Sequence, residues 1–228
     1  MSATTKKTPE QIDFLQEYNL SSKRDYIGRV TQYDKAECSQ KAKQWGFDYW
    51  DGERQYGYGG YKYDGRWLPF AQKLLKPYDI KPGDRILDIG CGKGYLLYEF
   101  TRAVPGVEVA GLDISQYAIE HAKDEVKPFL TQGHCRKLPY ADKSFDFVYS
   151  NTTLHNLPPE DLYPALKEIA RVMKDKAWIC VESFRNEKEK ANLLYWQLTC
   201  EAFYSPKGWK WWYEHCGYPG DFGFVYFE

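Results

Sequence analysis

The stretch RILDIGCGKGYLL, residues 85–97, decides the fold of this chain. Its apolar run, Ile86 to Ile89, predicts a buried strand, and the residues from Tyr95 onward predict the first turns of a helix. Glycines at positions 90, 92 and 94 lie between the two and let the backbone bend sharply, with no Cβ in the way of a ligand. Free N–H groups and the positive end of the helix dipole would face that ligand. The stretch therefore predicts a glycine loop that binds a cofactor.

Apolar strands and helical patterns alternate outward from this loop. Continuous apolar strands between helices indicate an α/β fold with a doubly wound, mostly parallel sheet of six or seven strands. A seventh strand would have to lie within residues 217–221. Ligands in such sheets bind beyond the carboxyl ends of the strands. The predicted strands are 85–90, 107–113, 129–134, 145–150, 177–182 and 221–227, and the predicted helices are 68–75, 93–103, 115–125, 158–173, 185–198 and 206–216.

The N-terminal part of the chain has a different character. We expect residues 1–67 to hold a mobile tail (1–11), helices between 12 and 45, and a glycine- and tyrosine-rich segment, with the core at 68–228. That segment, WGFDYWDGERQYGYGGYKYDGRW at 45–67, lacks the periodicity of a strand or a helix. Long loops inside compact domains are usually functional, so it predicts a lid over cofactor and substrate. The alternative is a loop that its aromatic rings pack onto the core.

Composition excludes several classes of function. The net charge of −1 predicts neither nucleic acid nor a membrane surface as a partner. No apolar run approaches the ~20 residues that a spanning helix needs, and residues 1–11 lack the apolar core of a signal peptide, so we expect a cytoplasmic protein. Six cysteines at 38, 91, 135, 180, 200 and 216 form no CxxC pair, which predicts free buried thiols and no metal site.

The glycine spacing and two acids select the cofactor. Asp113 lies 19 residues after Gly94, at the end of the next predicted strand, where an acid accepts the ribose hydroxyls of an adenosine. Both NAD and S-adenosylmethionine carry that ribose. The loop reads GxGxG and lacks the third glycine of the dinucleotide pattern GxGxxG. Asp88 would repel a pyrophosphate but attract the ammonium of a methionine moiety, so the pattern favours S-adenosylmethionine.

These motifs resemble those of class I S-adenosylmethionine-dependent methyltransferases of the small-molecule, type 11-like kind. The resemblance spans residues 70–185 and rests on ILDIGCGKG (86–94), VAGLDIS (109–115), GHCRKLPYADKSFDFVYSNTTLHNL (133–157) and ALKEIARVMKDKAWICVE (165–182). It implies a Rossmann-like fold that binds S-adenosyl-L-methionine and releases S-adenosyl-L-homocysteine. The segments YWDGERQYGYGGYKYDGRW, NTTLHNL and CGYPGDFGFVYFE also resemble methyltransferases from bacterial surface-polysaccharide gene clusters.

The resemblance implies which residues hold the cofactor. Asp88 would hold its amino group, Asp113 its ribose hydroxyls and Ile114 its adenine. Asn151, with Ser150 as a second candidate, would lie under the sulfonium. The full predicted set is Asp88, Gly90, Cys91, Gly92, Gly94, Asp113, Ile114, His134, Cys135 and Asn151.

One position departs from the family pattern. The family often has Gly-Asp-Ala at the end of the third strand, where the aspartate accepts a hydrogen bond from the adenine amino group. This chain has Gly133-His134-Cys135. A neutral His134 would accept the same bond through a ring nitrogen. The alternatives are that only the backbone is used there, or that His134 is a surface residue.

His155, in NTTLHN after the fourth strand, is the first catalytic candidate. Methyl transfer is an in-line displacement, and a hydroxyl acceptor benefits from a base, for which histidine suits neutral pH. The alternative is that His155 only shapes the pocket.

The remaining candidates come from the lid segment and the strand ends. Tyr61 is the second catalytic candidate, and Tyr58 and Tyr63 are predicted substrate contacts. Asn156 and Arg185 complete the predicted substrate set. Arg185 would pair with a phosphate or carboxylate of the acceptor, unless it is a solvated surface arginine.

We therefore predict a methyltransferase that acts on a small molecule, namely a hydroxyl of a sugar or sugar-nucleotide precursor of a surface polysaccharide. The alternatives are N-methylation of a small amine, an NAD-dependent oxidoreductase, and a non-catalytic methyltransferase-like regulatory subunit. The missing third glycine and Asp88 count against the oxidoreductase. The intact acids and glycine loop count against a degenerate site.

Overall fold

The computed structural model describes residues 9–20 and 24–228, and its described strands form one six-stranded sheet. The order is β3-β2-β1-β4-β5-β6, and every neighbouring pair is parallel. This confirms the predicted α/β, doubly wound fold. The strands are β1 (Arg85–Ile89), β2 (Glu108–Asp113), β3 (Leu130–Gln132), β4 (Phe145–Asn151), β5 (Met173–Glu182) and β6 (Asp221–Val225).

Ten described helices surround or precede this sheet. They are α1 (Gln16–Leu20), α2 (Tyr26–Thr31), α3 (Lys35–Ala42), α4 (Phe47–Trp50), α5 (Leu68–Leu75), α6 (Tyr95–Ala103), α7 (Gln116–Glu120), α8 (Pro159–Val172), α9 (Glu187–Trp196) and α10 (Pro206–Cys216). Single 3₁₀ turns lie at Lys76–Tyr78, Lys127–Phe129 and Leu154–Asn156. Within the described ranges, no helix combines the length and the apolar character needed to cross a bilayer.

Three predicted features differ from the structure. Within the segment 45–67, which the sequence pattern predicts to be neither strand nor helix, Phe47–Trp50 forms the short helix α4. No strand lies at residues 217–220, because Gly217 has a φ of +66° and ends α10 in a left-handed turn. The suggested seventh strand there is therefore wrong. Ser115 caps α7 as expected, its side chain accepting the N–H of Ala118, but that helix ends at Glu120 and not near residue 125.

Successive side chains of a strand point to opposite faces of the sheet, and each face packs against a layer of helices. Ile86 packs into a cluster with Phe70 of α5, whereas its neighbour Leu87 packs into a second cluster with Leu166 of α8 and Trp209 of α10. All five are fully buried. Burying a side chain of this size contributes about 1.5–3 kcal/mol relative to leaving it exposed. These layers fix the strand ends, where the site forms.

The N-terminal part joins the sheet at its β6 edge. Ile12 N–H donates to Phe222 O at 2.7 Å, and Phe222 N–H donates to Glu10 O at 3.0 Å. Glu10 and Gln11, which the prediction includes in the mobile tail, lie beside β6 instead. Residues 1–8 of the predicted tail lie outside the described residues. The predicted domain boundary at residue 67 stays a prediction.

Candidate active site

The glycine loop follows β1, and two of its glycines leave room for side chains that a Cβ would clash with. Gly90 has a φ of +81°, and a Cβ there would lie 1.9 Å from Thr153 Oγ1. A Cβ on Gly92 would lie 2.6 Å from the indole of Trp50. Gly94 is the N-cap of α6 and lines none of the cavities described below. Two of the three glycines therefore allow the turn after β4 and the lid segment (residues 45–67) to approach the loop.

Two adjoining cavities lie over this loop. The first, the main cavity, has a volume of about 320 Å³ and lies beyond the carboxyl ends of β1 to β4. The second, the loop cavity, has about 70 Å³ and is lined by Asp88, Cys91 and Gly92 among others. Residues of both cavities are Trp50, Tyr58, Gly90, Asn151 and Thr152. This is the edge of the sheet at which the sequence predicts the ligand.

Three side-chain oxygens at these cavities are buried without a hydrogen-bond partner among the described residues. They are Asp88 Oδ1, Tyr149 Oη and Asn151 Oδ1. Burial, and to a smaller extent the charge of Asp113, raises the pKa of Asp88 well above its ordinary value. A buried carboxyl without a partner is costly. A ligand ammonium in the loop cavity would satisfy Asp88 and restore its charged form, so the residues present fit the amino group of S-adenosylmethionine.

Asp113 lies at the end of β2 with its carboxylate fixed at the wall of the main cavity. Its Oδ2 accepts the N–H of Gly92 at 2.7 Å, and its Oδ1 accepts the N–H of Ser115 at 2.8 Å. Burial raises the pKa of Asp113, while these backbone hydrogen bonds oppose the shift. Each oxygen keeps a lone pair that can accept a ribose hydroxyl.

The adenine end of the main cavity is formed by Ile114 and the residues after β3. Ile114 is 47% exposed at the cavity wall, which suits contact with a flat ring. His134 and Cys135 also line the cavity. His134 Nδ1 accepts the N–H of Arg136 at 3.2 Å, so the neutral ring carries its proton on Nε2. A contact of His134 with adenine stays a prediction, and in this tautomer Nε2 would donate.

The lid segment lies directly over the glycine loop. Trp50 and Tyr58 stack with ring centroids 5.4 Å apart, and Trp50 Nε1 donates to Ser115 Oγ at 2.9 Å. Lys93, from the loop itself, makes a 2.7 Å ion pair with Asp51 of the lid segment and is only 5% exposed. The segment is therefore anchored to the cofactor loop by a largely buried charge pair.

The three tyrosines of the lid segment have different surroundings. Tyr58 lines both cavities and is 43% exposed to them and to solvent. Tyr61 lines the loop cavity beside Asp88, and burial raises the pKa of its phenol, which stays protonated. Tyr63 lines none of these cavities, and its hydroxyl donates to Oε1 of the buried Glu99 of α6 at 2.8 Å. We therefore do not retain Tyr63 as a substrate contact.

His155 is buried and faces Glu182, the last residue of β5. Its Nδ1 accepts the backbone N–H of Glu182 at 3.3 Å, and its Nε2 lies 3.3 Å from Glu182 Oε2. Burial lowers the pKa of His155 to about 3, so its ring is neutral. Burial raises the pKa of Glu182 to about 8. His155 thus has no free lone pair, which favours the pocket-shaping alternative over direct proton abstraction.

These two residues line a third cavity of about 180 Å³, which we call the arginine cavity because Arg29 and Arg54 also line it. It shares a wall with the main cavity, formed by Tyr49, Tyr58, Thr152, Asn156 and Thr199. Asn156 Oδ1 accepts the Thr199 hydroxyl at 2.8 Å in that wall. Tyr58 and Thr152 line all three cavities, so the three spaces meet there.

Two predicted residues have structural roles away from these cavities. Arg185 pairs with Glu189 and Glu228, each at 2.5 Å, and lines none of the three cavities. We therefore do not retain it as a substrate contact. Ser150 Oγ donates to Ile89 O at 2.9 Å and ties β4 to β1. Among the described residues, no group of three or more His, Cys, Asp or Glu side chains could hold a metal ion.

Three further residues line the site without a specific motif in the sequence. Trp50 belongs to the aromatic lid segment, and that composition is its available signal. Glu182 follows an apolar strand, at an edge where ligands bind, and its position is the available signal. Thr152 has a φ of +50°, an uncommon value that marks strain at functional sites, and this is visible only in the structure.

Comparisons with known proteins agree with this geometry. Residues 87–181 match the family model described as "Methyltransferase domain". The chain is similar to the demethylmenaquinone methyltransferases of Bacillus cytotoxicus (34% identical over 122 residues) and Staphylococcus aureus (33% over 120 residues). Each match covers 50% of this chain and 51% or 49% of the relative, so the chain spans about half the length of the curated relatives it matches.

The same fold is found among solved structures. The YcgJ protein of Bacillus subtilis aligns with a TM-score of 0.52 at 23% identity, over 64% of this chain and 67% of that chain. At this identity the likeness shows the fold alone. Residues 87–181 are therefore similar to a methyltransferase domain, and the sheet of this chain has the fold of that solved structure.

Proposed function

We propose that this protein is an S-adenosylmethionine-dependent methyltransferase that acts on a small molecule. The observation that carries the proposal is the unpartnered carboxyl oxygen of Asp88 in the loop cavity, next to the fixed carboxylate of Asp113. An ammonium fits the first and ribose hydroxyls fit the second. A pyrophosphate would meet Asp88 instead of free N–H groups, which counts against the NAD-dependent alternative.

When bound, S-adenosylmethionine supplies a methyl group on a positively charged sulfonium. The task of the protein is then to hold the acceptor in line at ~3–3.5 Å, which by itself supplies much of the rate enhancement. The stacked rings of Trp50 and Tyr58 cover the glycine loop and exclude water. The protonated phenol of Tyr61 lies beside Asp88 and can donate a hydrogen bond at the methionine end.

A hydroxyl acceptor must lose a proton, and Glu182 is the better-placed proton acceptor. Its Oε2 is buried without a hydrogen bond of good geometry, whereas Nδ1 of His155 already accepts a backbone N–H. The carboxylate of Glu182 takes the proton, and neutral His155 holds the strand end from which Glu182 projects. The charged form of Glu182 becomes abundant as the pH approaches about 8.

We further propose that the acceptor is a hydroxyl of a sugar or a sugar nucleotide, such as a precursor of a surface polysaccharide. The shared wall of the main cavity supports this, because the rings of Tyr49 and Tyr58 stand beside the polar side chains of Asn156 and Thr199. Sugars present apolar faces and hydroxyl edges that such a wall can contact. The proposal includes a cytoplasmic location, where nucleotide-linked sugars are made.

Two other acceptor classes are the alternatives. The names of the relatives suggest a demethylmenaquinone-like quinone, and the sequence leaves a small amine open. Labelled methyl transfer from S-adenosylmethionine into a panel of nucleotide-linked sugars, sugar phosphates, small amines and a soluble quinone tests all of them together. We expect label in the sugar compounds. Label confined to the quinone or the amines would contradict the proposed acceptor but not the methyltransferase. No label with any acceptor, together with no binding of S-adenosylhomocysteine, would contradict both.

A further inference from the structure

Two arginines from distant parts of the chain meet at the arginine cavity. Arg29 comes from α2, and Arg54 comes from the lid segment. Their guanidinium carbons lie 5.3 and 5.5 Å from the ring centroid of Trp196, the last residue of α9. All three side chains line the cavity. The indole therefore holds two positive groups at one opening.

Neither arginine is paired with a carboxylate among the described residues. Arg29 donates to two backbone oxygens, Arg54 O at 3.0 Å and Trp196 O at 3.4 Å, and Arg54 donates to Gly57 O. Burial, followed by the nearby charge of Arg54, lowers the pKa of Arg29. Each guanidinium has five N–H groups, so several donors of both remain available. Two like charges are held together with no acid to balance them.

Of the described residues, Glu182 is the one acid that lines this cavity, and it does not balance the charge of the two arginines. Its carboxyl accepts a hydrogen bond from Gln197 and faces His155, and burial keeps it largely protonated below about pH 8. Arg24 and Lys35 add positive charge nearby, since Arg24 also stands over Trp196 at 5.9 Å and Lys35 interacts with Arg29. The potential at this opening is therefore positive.

We propose that Arg29 and Arg54 bind a phosphate group of the methyl acceptor, which makes the substrate a phosphorylated small molecule. This rests on the proposed function, because the arginine cavity shares a wall with the main cavity. An acceptor can thus place its hydroxyl at the junction lined by Tyr58 and Thr152 and its phosphate between the two guanidiniums. Planar guanidinium groups match phosphate oxygens with paired hydrogen bonds. A sugar phosphate or a nucleotide-linked sugar meets this requirement.

Inorganic phosphate is the probe for this site. Melting temperatures are measured in increasing phosphate, with sodium chloride holding the ionic strength constant, for the wild type and for Arg29→Gln/Arg54→Gln. We expect phosphate to raise the melting temperature of the wild type and not that of the double variant. Arg29→Lys/Arg54→Lys should keep part of the shift, because lysine retains the charge. No shift in the wild type, or an equal shift in the glutamine variant, would overturn the proposal.

Arg85→Gln is the matched control. Arg85 also stands over an aromatic ring, that of Phe145 at 4.9 Å, but lies at the amino end of β1, away from the site. Its variant should keep the full phosphate shift. If the double glutamine variant does not fold, as judged by circular dichroism, the single variants and the lysine pair replace it.

Turnover separates this inference from the proposed function. For an acceptor tested with and without its phosphate, Arg29→Gln should raise KM for the phosphorylated form about tenfold or more and leave the neutral form unchanged. Affinity for S-adenosylhomocysteine should be the same in all arginine variants. If the wild type binds S-adenosylhomocysteine but uses both acceptor forms equally well, the phosphate site is contradicted and the proposed methyltransferase activity is not. If the wild type does not bind S-adenosylhomocysteine, the proposed function itself is contradicted.

Discussion

The cofactor half and the acceptor half of this site are built in different ways. The cofactor half comes from consecutive residues, since Asp88, the glycine loop and the start of α6 follow one another, and Asp113 ends the neighbouring strand. The acceptor half brings together Arg29 and Arg54, which are 25 residues apart, with Glu182, which lies more than a hundred residues further along the chain. A strand–turn–helix unit specifies its own geometry, whereas the acceptor half exists only once α2, α9 and the lid segment have packed.

The largest expected effect is the loss of cofactor affinity on substituting Asp113 in the cofactor half. Asp113→Asn should weaken S-adenosylhomocysteine binding about 1,000-fold, because two hydrogen bonds from ribose hydroxyls to a charged carboxylate are worth about 4 kcal/mol together. Isothermal titration calorimetry measures the loss. Asp146→Asn is the control, since Asp146 lies at the opposite end of the sheet and bonds to Arg85 N–H at 3.0 Å. An affinity within tenfold of the wild type would remove the ribose assignment.

The next effect tests the acceptor half through its pH dependence. Because burial raises the pKa of Glu182 to about 8, methyl transfer to a hydroxyl should increase up to about pH 8 and then level off. Glu182→Gln should lower kcat about 100-fold and abolish this rise. If His155, with a pKa near 3, were the base, the profile would be flat above pH 5. A flat profile for the wild type would therefore contradict the role of Glu182.

Glu182→Gln, which should lower kcat, should at the same time raise the free energy of unfolding at high pH. The pKa of Glu182 is higher in the folded than in the unfolded chain, so its stabilising contribution is present at low pH and is lost as the pH rises toward about 8. Glu182→Gln should therefore be more stable than the wild type at pH 8, by about 1–3 kcal/mol, and should lose this advantage at pH 4.5. Urea unfolding at the two pH values measures the difference. An advantage that does not change with pH would contradict the raised pKa.

The smallest effect concerns the contact between the two halves. Asp51→Asn should raise KM for S-adenosylmethionine about threefold, because it weakens the pair with Lys93 that anchors the lid segment, and a partly exposed pair is worth less than a fully buried one. Limited proteolysis within residues 52–65 should become faster. Lys174→Gln, which removes a pair with Asp146 at the opposite end of the sheet in which the lysine is more exposed, is the control and should change neither quantity. Unchanged proteolysis in Asp51→Asn would show that this pair does not anchor the segment.

The sequence located the residues of the cofactor half for a physical reason, while their roles toward a cofactor stay predictions. Strand ends follow from apolar runs, and parallel strands place all their carboxyl ends at one edge, so Asp88 and Asp113 could be located without coordinates. Gly94 was the exception, because a glycine that caps a helix and one that lines a cavity look the same in the sequence.

The acceptor half could be predicted only in part. Tyr61 and Tyr63 are two residues apart in an irregular loop, and nothing in the sequence tells which ring faces the cavity. Arg185 follows β5 as expected, but Glu189, one helical turn later, pairs with it. Arg29 and Arg54 come close together over Trp196 only because α2 and the lid segment pack against α9. No local sequence pattern encodes that packing.

The central claim is that Asp88 selects the amino group of a sulfonium cofactor, and one calorimetric comparison tests it most directly. S-adenosylhomocysteine, methylthioadenosine, which lacks the amino-acid moiety, and NAD are titrated into the wild type and into Asp88→Asn. The account predicts that S-adenosylhomocysteine binds, that NAD does not, and that Asp88→Asn weakens S-adenosylhomocysteine about tenfold or more while leaving methylthioadenosine unchanged. Binding of NAD without S-adenosylhomocysteine, or equal losses for the two adenosine ligands, would contradict it.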